Sequence, residues 1–176
     1  GYSLTGIGVH KDNTYYIKIW KPDYSKEGSI TIKDIKYQIE KAAVLKNTTR
    51  GKAKTIQISE KKTKPIVQLL EAGKKNTSWY KINLKKRKKI TLTFESHLLQ
   101  NNGDGLQLYI CNTKGKKLHN NAIVITEEVS TSYKKKYKKE YPRKKITTGE
   151  LPAGTYYVKI ISNNKSTSGS YELSWK

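Results

Sequence analysis

The chain has 176 residues, room for one medium domain or a small domain plus a fragment. It carries 36 Lys and Arg against 14 Asp and Glu, a formal charge of +22. Such a charge implies attraction to polyanions (wall teichoic acid, acidic glycan, anionic lipid or nucleic acid) unless it serves solubility alone, and no apolar run of about 18 residues is present to span a membrane as a helix.

No signal peptide is visible. The chain begins at Gly1 and contains no Met, which reads as a piece cut from a longer precursor. The lone Cys111 lies in "LQLYIC" and excludes an internal disulfide; it reads as a buried strand thiol.

Period-two alternation dominates the chain. Strands are expected at 14–20 ("TYYIKIW"), 30–39, 54–59, 78–84 ("SWYKINL"), 89–94 ("KITLTF"), 106–111, 122–127, 155–161 ("TYYVKII") and 170–175 ("SYELSW"). Turn signals separate them, among them "KPDYSKEG", "NNGDG", "NTKGKK", "LPAG" and "NNKSTSG". The segment "KPIVQLLEAG" (64–73) fits a short helix or a strand followed by a turn, and is read as a strand. The expected class is all-β, an antiparallel sandwich or jelly roll.

Two segments break the alternation. "LKKRKK" (84–89) places five cations, Lys85, Lys86, Arg87, Lys88 and Lys89, between two strands and reads as a charged hairpin turn. "SYKKKYKKEYPRKK" (132–145) reads as a basic loop carrying Tyr133, Tyr137 and Tyr141. Both are either ligand-gripping surfaces or solvated loops. The candidate contacts are the five cations of the first segment with Lys134, Lys135, Lys136, Tyr137, Lys138, Lys139 and Arg143 of the second.

The sequence repeats itself. "NTYYIKI" begins at Asn13 and "GTYYVKI" at Gly154, with five of seven positions identical. Each follows a turn, and each precedes a polar loop and a strand opening on Tyr, at Tyr37 and Tyr171. Such self-similarity signals tandem units.

From residue 54 onward four marks occur in order. Trp79-Tyr80 follows a short polar turn, and Leu108-Tyr109 leads into Asn-x-x-Gly at 112–115. Then come Leu-Pro-Ala-Gly-Thr-Tyr-Tyr at 151–157 and Ser-Tyr-x-Leu at 170–173. In this the chain resembles the bacterial pre-peptidase C-terminal domain, a β-sandwich module related to the collagen-binding domains of clostridial collagenases. The resemblance implies one full copy over 54–176, a junction at 44–53, and in 1–43 the last strands of a preceding copy. It also implies a larger exported parent protein, extracellular or at a Gram-positive-like cell surface, with neighbouring domains.

Related domains carry acidic residues in the turn before the Trp-Tyr strand, where the collagen-binding relatives hold calcium. Here Asn76 and Ser78 stand at those places and Lys74 and Lys75 lie beside them, which counts against a cation that needs several carboxylates. His10, His97 and His119 show no HExxH or other familiar ligand spacing, and no GxSxG elbow or phosphate loop is present. Cys111 with His119 is the one conceivable dyad. No metal or cofactor is expected, and Trp79 and Trp175 are expected in the core.

The sequence therefore reads as a non-catalytic binding or spacer module that contacts anionic cell-wall polymer or glycan through its basic loops. The alternatives are an accessory domain of a secreted protease or other hydrolase and, more weakly, a nucleic-acid binder.

Overall fold

Alternation in Gly154–Ser162 shows how the chain builds its layers. Tyr156, Val158, Ile160 and Ser162 are buried, while Tyr157, Lys159 and Ile161 between them are half-buried. Successive strand residues point to opposite faces, so one sequence of alternating types supplies both a core face and an outer face. The computed structural model describes residues 7–19, 27–29, 31–32, 42, 46–58, 65–100, 105–126 and 141–176.

Among the described residues the strands are β1 (Lys54–Thr55), β2 (Ile66–Leu70), β3 (Thr77–Leu84), β4 (Lys88–Gln100), β5 (Leu106–Cys111), β6 (Ile123–Ile125), β7 (Arg143–Leu151), β8 (Gly154–Ser162) and β9 (Ser168–Trp175). They form a five-stranded sheet in the order β1-β3-β8-β5-β6 and a four-stranded sheet in the order β2-β9-β4-β7. All pairings are antiparallel except the short β1–β3 contact. The two inner faces interdigitate around Leu70, Ile82, Ile90, Leu92, Phe94, Leu108, Val158, Ile160 and Leu173, giving the expected all-β sandwich.

The centre of this core is polar at one point. The Tyr80 hydroxyl of the five-stranded sheet meets the Tyr171 hydroxyl of the four-stranded sheet at 2.6 Å, and donates to Gln68 Oε1 at 3.2 Å. The Tyr171 ring stacks on Phe94 at 4.9 Å and meets Tyr80 edge-on. Burial pushes the Tyr80 hydroxyl up to about 12 and the Tyr171 hydroxyl well above its ordinary value. Both therefore sit in the core as neutral, hydrogen-bonded groups.

Several segments depart from the sequence expectation. The 64–73 segment is no exception to its reading as strand and turn over its described residues: Ile66–Leu70 form β2 and a turn follows at 72–74. The 85–87 link is not a hairpin: β3 pairs with β1 and β8, β4 pairs with β9 and β7, and the link carries the chain from one sheet to the other. Leu84 and Ile90, buried on either side, hold its cations at the rim. β4 continues well past Phe94, because Glu95, Ser96 and His97 break the apolar alternation while keeping the ladder. Arg143, Lys144 and Lys145 lie on β7 and not in a loop. Among the described residues β7 pairs with β4 alone, and a sheet edge is where a strand carries consecutive cations at least cost.

The first copy of the repeated phrase lies in none of these strands at residues 14–19, where Tyr16 is 91% exposed. Residues before and within it dock on the sandwich. The Ala72 N–H donates to the Gly8 carbonyl at 2.9 Å, and the Tyr15 hydroxyl donates to Glu71 Oε1 at 2.8 Å. A Cβ on Gly8 would lie 2.5 Å from the Leu70 carbonyl oxygen, so only glycine fits this approach. Asn47 pairs with the edge of β3 in both directions, donating from Nδ2 to the Trp79 carbonyl at 2.8 Å and accepting the Trp79 N–H on its own carbonyl at 2.8 Å.

Phe94→Ala is expected to cost about 3–5 kcal/mol in urea unfolding, through its cavity and the missing ring stack. Tyr171→Phe removes one hydroxyl but leaves Tyr80 its bond to Gln68, and is expected to cost about 1 kcal/mol. The raised Tyr80 pKa favours folding while the hydroxyl stays protonated. That contribution is complete below about pH 10, the ordinary tyrosine value, and is lost as pH rises through about 12. The stability advantage of the natural chain over Tyr80→Phe should thus shrink across that window; a difference that stays constant would contradict the buried neutral hydroxyl.

Candidate functional site

The β3–β4 link concentrates charge. Lys85, Lys86, Arg87 and Lys89 are exposed, and Lys88 lies half-buried with its Nζ 5.7 Å from the centre of the Trp175 ring. Among the described residues none of the five has a carboxylate at ion-pair distance. Beside the link runs a groove of about 390 Å³. Ile56, Ile58, Leu84 and Trp175 form its apolar floor, and Lys85, Lys86 and Lys88 stand on its rim. Trp175 is buried as the sequence suggests, its indole N–H donating to the Ile56 carbonyl at 2.8 Å.

Of the second basic segment, Lys134, Lys135, Lys136, Tyr137, Lys138 and Lys139 lie outside the described residues. Arg143 is described, and its guanidinium is engaged: Nε donates to Glu95 Oε2 on the neighbouring strand β4. The structure therefore brings the first five candidate cations together and gives Arg143 a partner within the sheet.

A second cationic surface lies where the sequence does not point. On β3, Ser78, Tyr80, Ile82 and Leu84 face the core, so Trp79 and Lys81 face outward. Trp79 is not a core residue. It stands half-buried on the outer face of the five-stranded sheet, in a row with Lys159 and Tyr109 on the next two strands. The following row is Lys81, Tyr157 and Cys111. Lys159 Nζ lies 5.2 Å from the Trp79 ring centre, Lys117 Nζ lies 3.8 Å from Tyr109, and Arg50 lies 5.9 Å from Tyr157. Trp79 and Tyr157 meet edge to face at 6.3 Å. The rings anchor the cationic stems, so the charges are displayed at fixed positions rather than on free chains. Strict parity around Tyr80 is the signal that points to this face, since adjacent Trp79 and Tyr80 cannot both face the core.

The remaining candidates hold structural positions. Cys111 is buried, and burial pushes its thiol up, away from the reactive thiolate. His119 Nε2 accepts the Ile110 N–H at 3.1 Å and its ring stacks against Tyr109, so its imidazole is committed to the β5 edge. Asn76 Nδ2 donates to the carbonyls of Glu71 and Lys74, both at 3.1 Å, which locks the turn before Trp79. Ser78 points into the core. Glu71 is pushed up by burial, but hydrogen bonds from Lys74, Tyr15 and Asn13 outweigh this and hold it below its usual value. Among the described residues no helix is long and apolar enough to cross a membrane.

No family model matches the chain, and no curated protein matches it. Among solved structures, the pre-peptidase C-terminal domain of a collagenase from Bacillus anthracis aligns with a TM-score of 0.42 and 17% identity, over 70% of this chain and 94% of that one.

The two tryptophans should separate cleanly on substitution. Trp175→Ala opens the core and is expected to cost about 3–5 kcal/mol. Trp79→Ala removes outer-face packing alone and is expected to cost about 1–2 kcal/mol. Chemical denaturation of the two variants measures both, and a larger loss for Trp79 would contradict its outward placement.

Proposed function

We propose that the chain is a non-catalytic binding module of the pre-peptidase C-terminal type, carried by a larger exported bacterial protein, and that it grips anionic cell-wall polymer or glycan. The observation that carries this reading is the cluster of five cations on the β3–β4 link and the start of β4, none with a carboxylate at ion-pair distance among the described residues, beside a groove with an apolar floor. A polyanion gains from such a cluster because no carboxylate of the described residues need be displaced first. The aromatic–cation rows of the five-stranded sheet add a second surface suited to the same chemistry.

The module type is supported by where the four sequence marks fall. Trp79-Tyr80 lies on β3, and Leu108-Tyr109 lies on β5 ahead of a turn closed by Asn112, whose Oδ1 accepts from the N–H groups of Lys114 and Lys116 at 3.0 and 2.9 Å. The 151–157 motif turns β7 into β8, with the Tyr156 hydroxyl donating back to the Pro152 carbonyl at 3.0 Å. The Ser-Tyr-x-Leu segment lies in β9 and supplies Tyr171 to the central hydroxyl pair. An accessory role beside a secreted hydrolase rests on the same four marks and is compatible with a binding role.

Retention on purified bacterial cell wall, with and without its teichoic acid, tests the proposal at about 0.05 and about 0.5 M salt, a range over which the screening length shrinks several-fold. Binding should require the teichoic acid, fall sharply at high salt, and weaken at least about tenfold when Lys85, Lys86, Arg87, Lys88 and Lys89 are all changed to Gln. Retention that ignores salt, or survives this neutralisation unchanged, would overturn it.

A further inference from the structure

Glu95 and His97 occupy an unusual place. They alternate on β4 with the core residues Phe94 and Leu98, so they face outward, yet they are only 9% and 8% exposed. Directly opposite Glu95 on β9 stands Glu172, and directly opposite it on β7 stands Arg143. One ligating atom from each of Glu95, His97 and Glu172 converges within 4.8 Å of the others. His97 Nε2 lies 2.9 Å from Glu95 Oε1.

We infer that Glu95, His97 and Glu172 form a binding site for one zinc-type divalent cation on the outer face of the four-stranded sheet. Two carboxylates directly opposed across a ladder repel each other, and Arg143 opposite Glu95 offsets that repulsion. Arg143 also takes Glu95 Oε2, which leaves Oε1 facing the imidazole. That is the arrangement in which an outer partner orients a ligating carboxylate. Tyr141 stacks on the His97 ring at 3.6 Å between centres and 23° between planes, fixing the imidazole and sheltering it from water.

The donor set selects the metal. One imidazole nitrogen and two carboxylates suit zinc and its first-row neighbours, whereas calcium and magnesium demand oxygen donors in greater number. Tetrahedral zinc at bonds of about 2.1 Å sets its ligand atoms about 3.4 Å apart, so the His97–Glu95 contact need open only by about half an ångström. Three protein ligands leave one coordination position for water or for an acidic group from outside. The site spans β4 and β9, so the ion would also pin these central strands together. The i, i+2 spacing Glu95-x-His97 is a ligand spacing for a strand, and it is invisible to a search for helical His motifs.

Calorimetric titration of the chelator-treated chain with zinc chloride tests the site. One zinc per chain should bind, calcium and magnesium should not, and Glu172→Gln and His97→Gln should each weaken zinc at least about tenfold. Imidazole NMR of the natural chain gives a readout independent of any variant: substoichiometric zinc should shift the His97 resonances before those of His10 and His119. Absence of stoichiometric binding, unchanged affinity in a folded Glu172→Gln chain, or first shifts at His10 or His119 would overturn the assignment.

Discussion

The sandwich depends on one constraint: two tyrosine hydroxyls must find each other in the dry space between the sheets. A buried hydroxyl without a partner costs a few kcal/mol, and this cost is met only when β3 and β9 face each other in one register. At 2.6 Å Tyr80 and Tyr171 satisfy each other, and Gln68 on β2 accepts from the Tyr80 hydroxyl. Apolar contacts tolerate small slips between sheets, whereas this polar contact does not. Phe94 stacked on Tyr171 ties the same point to β4, so three strands of the four-stranded sheet are referenced to one residue of the other sheet.

Once that register is set, strand parity dictates both outer faces. With Tyr80 inward, Trp79 and Lys81 must face out and meet Lys159 and Tyr157 across the ladder. With Phe94 and Tyr171 inward, Glu95 and Glu172 must face out and meet each other. Parity sets Lys81 and Lys159 on the outer face of the five-stranded sheet, so part of the chain's diffuse positive charge gains a defined surface. The link between β3 and β4 concentrates it further, because the chain crosses between sheets there and cannot bury the residues that make the crossing.

Much of this is legible in the sequence. The class, the strands β3, β5, β8 and β9, the buried Cys111 and the exposed cations Lys85, Lys86, Arg87 and Lys89 all follow from alternation and turn chemistry. The features that are not legible share a cause. β7 and the second half of β4 carry charged or polar residues where apolar ones signal a strand, because one is a sheet edge and the other contributes Glu95 and His97 to an outer-face cluster. The β3–β4 link reads as a hairpin because local sequence does not say which sheet the next strand joins. Residue type alone places Trp79 in the core, whereas its neighbour Tyr80 already claims the inward position. Glu172 lies 75 positions beyond His97 (172 − 97), and only the β4–β9 register brings it to the Glu95–His97 pair.

The proposed reading, in which the 85–89 cations grip an anionic chain, requires binding driven by counterion release, and the strength of that effect is measurable. The decisive quantity is the slope of log affinity against log salt for a soluble poly(glycerol phosphate) chain, compared between the natural protein and one with residues 85–89 neutralised. A charge-driven site predicts a steep negative slope that becomes shallower by about one unit for each phosphate the neutralised protein no longer engages. Equal slopes in the two proteins, or a natural protein whose affinity is flat in salt, would contradict it.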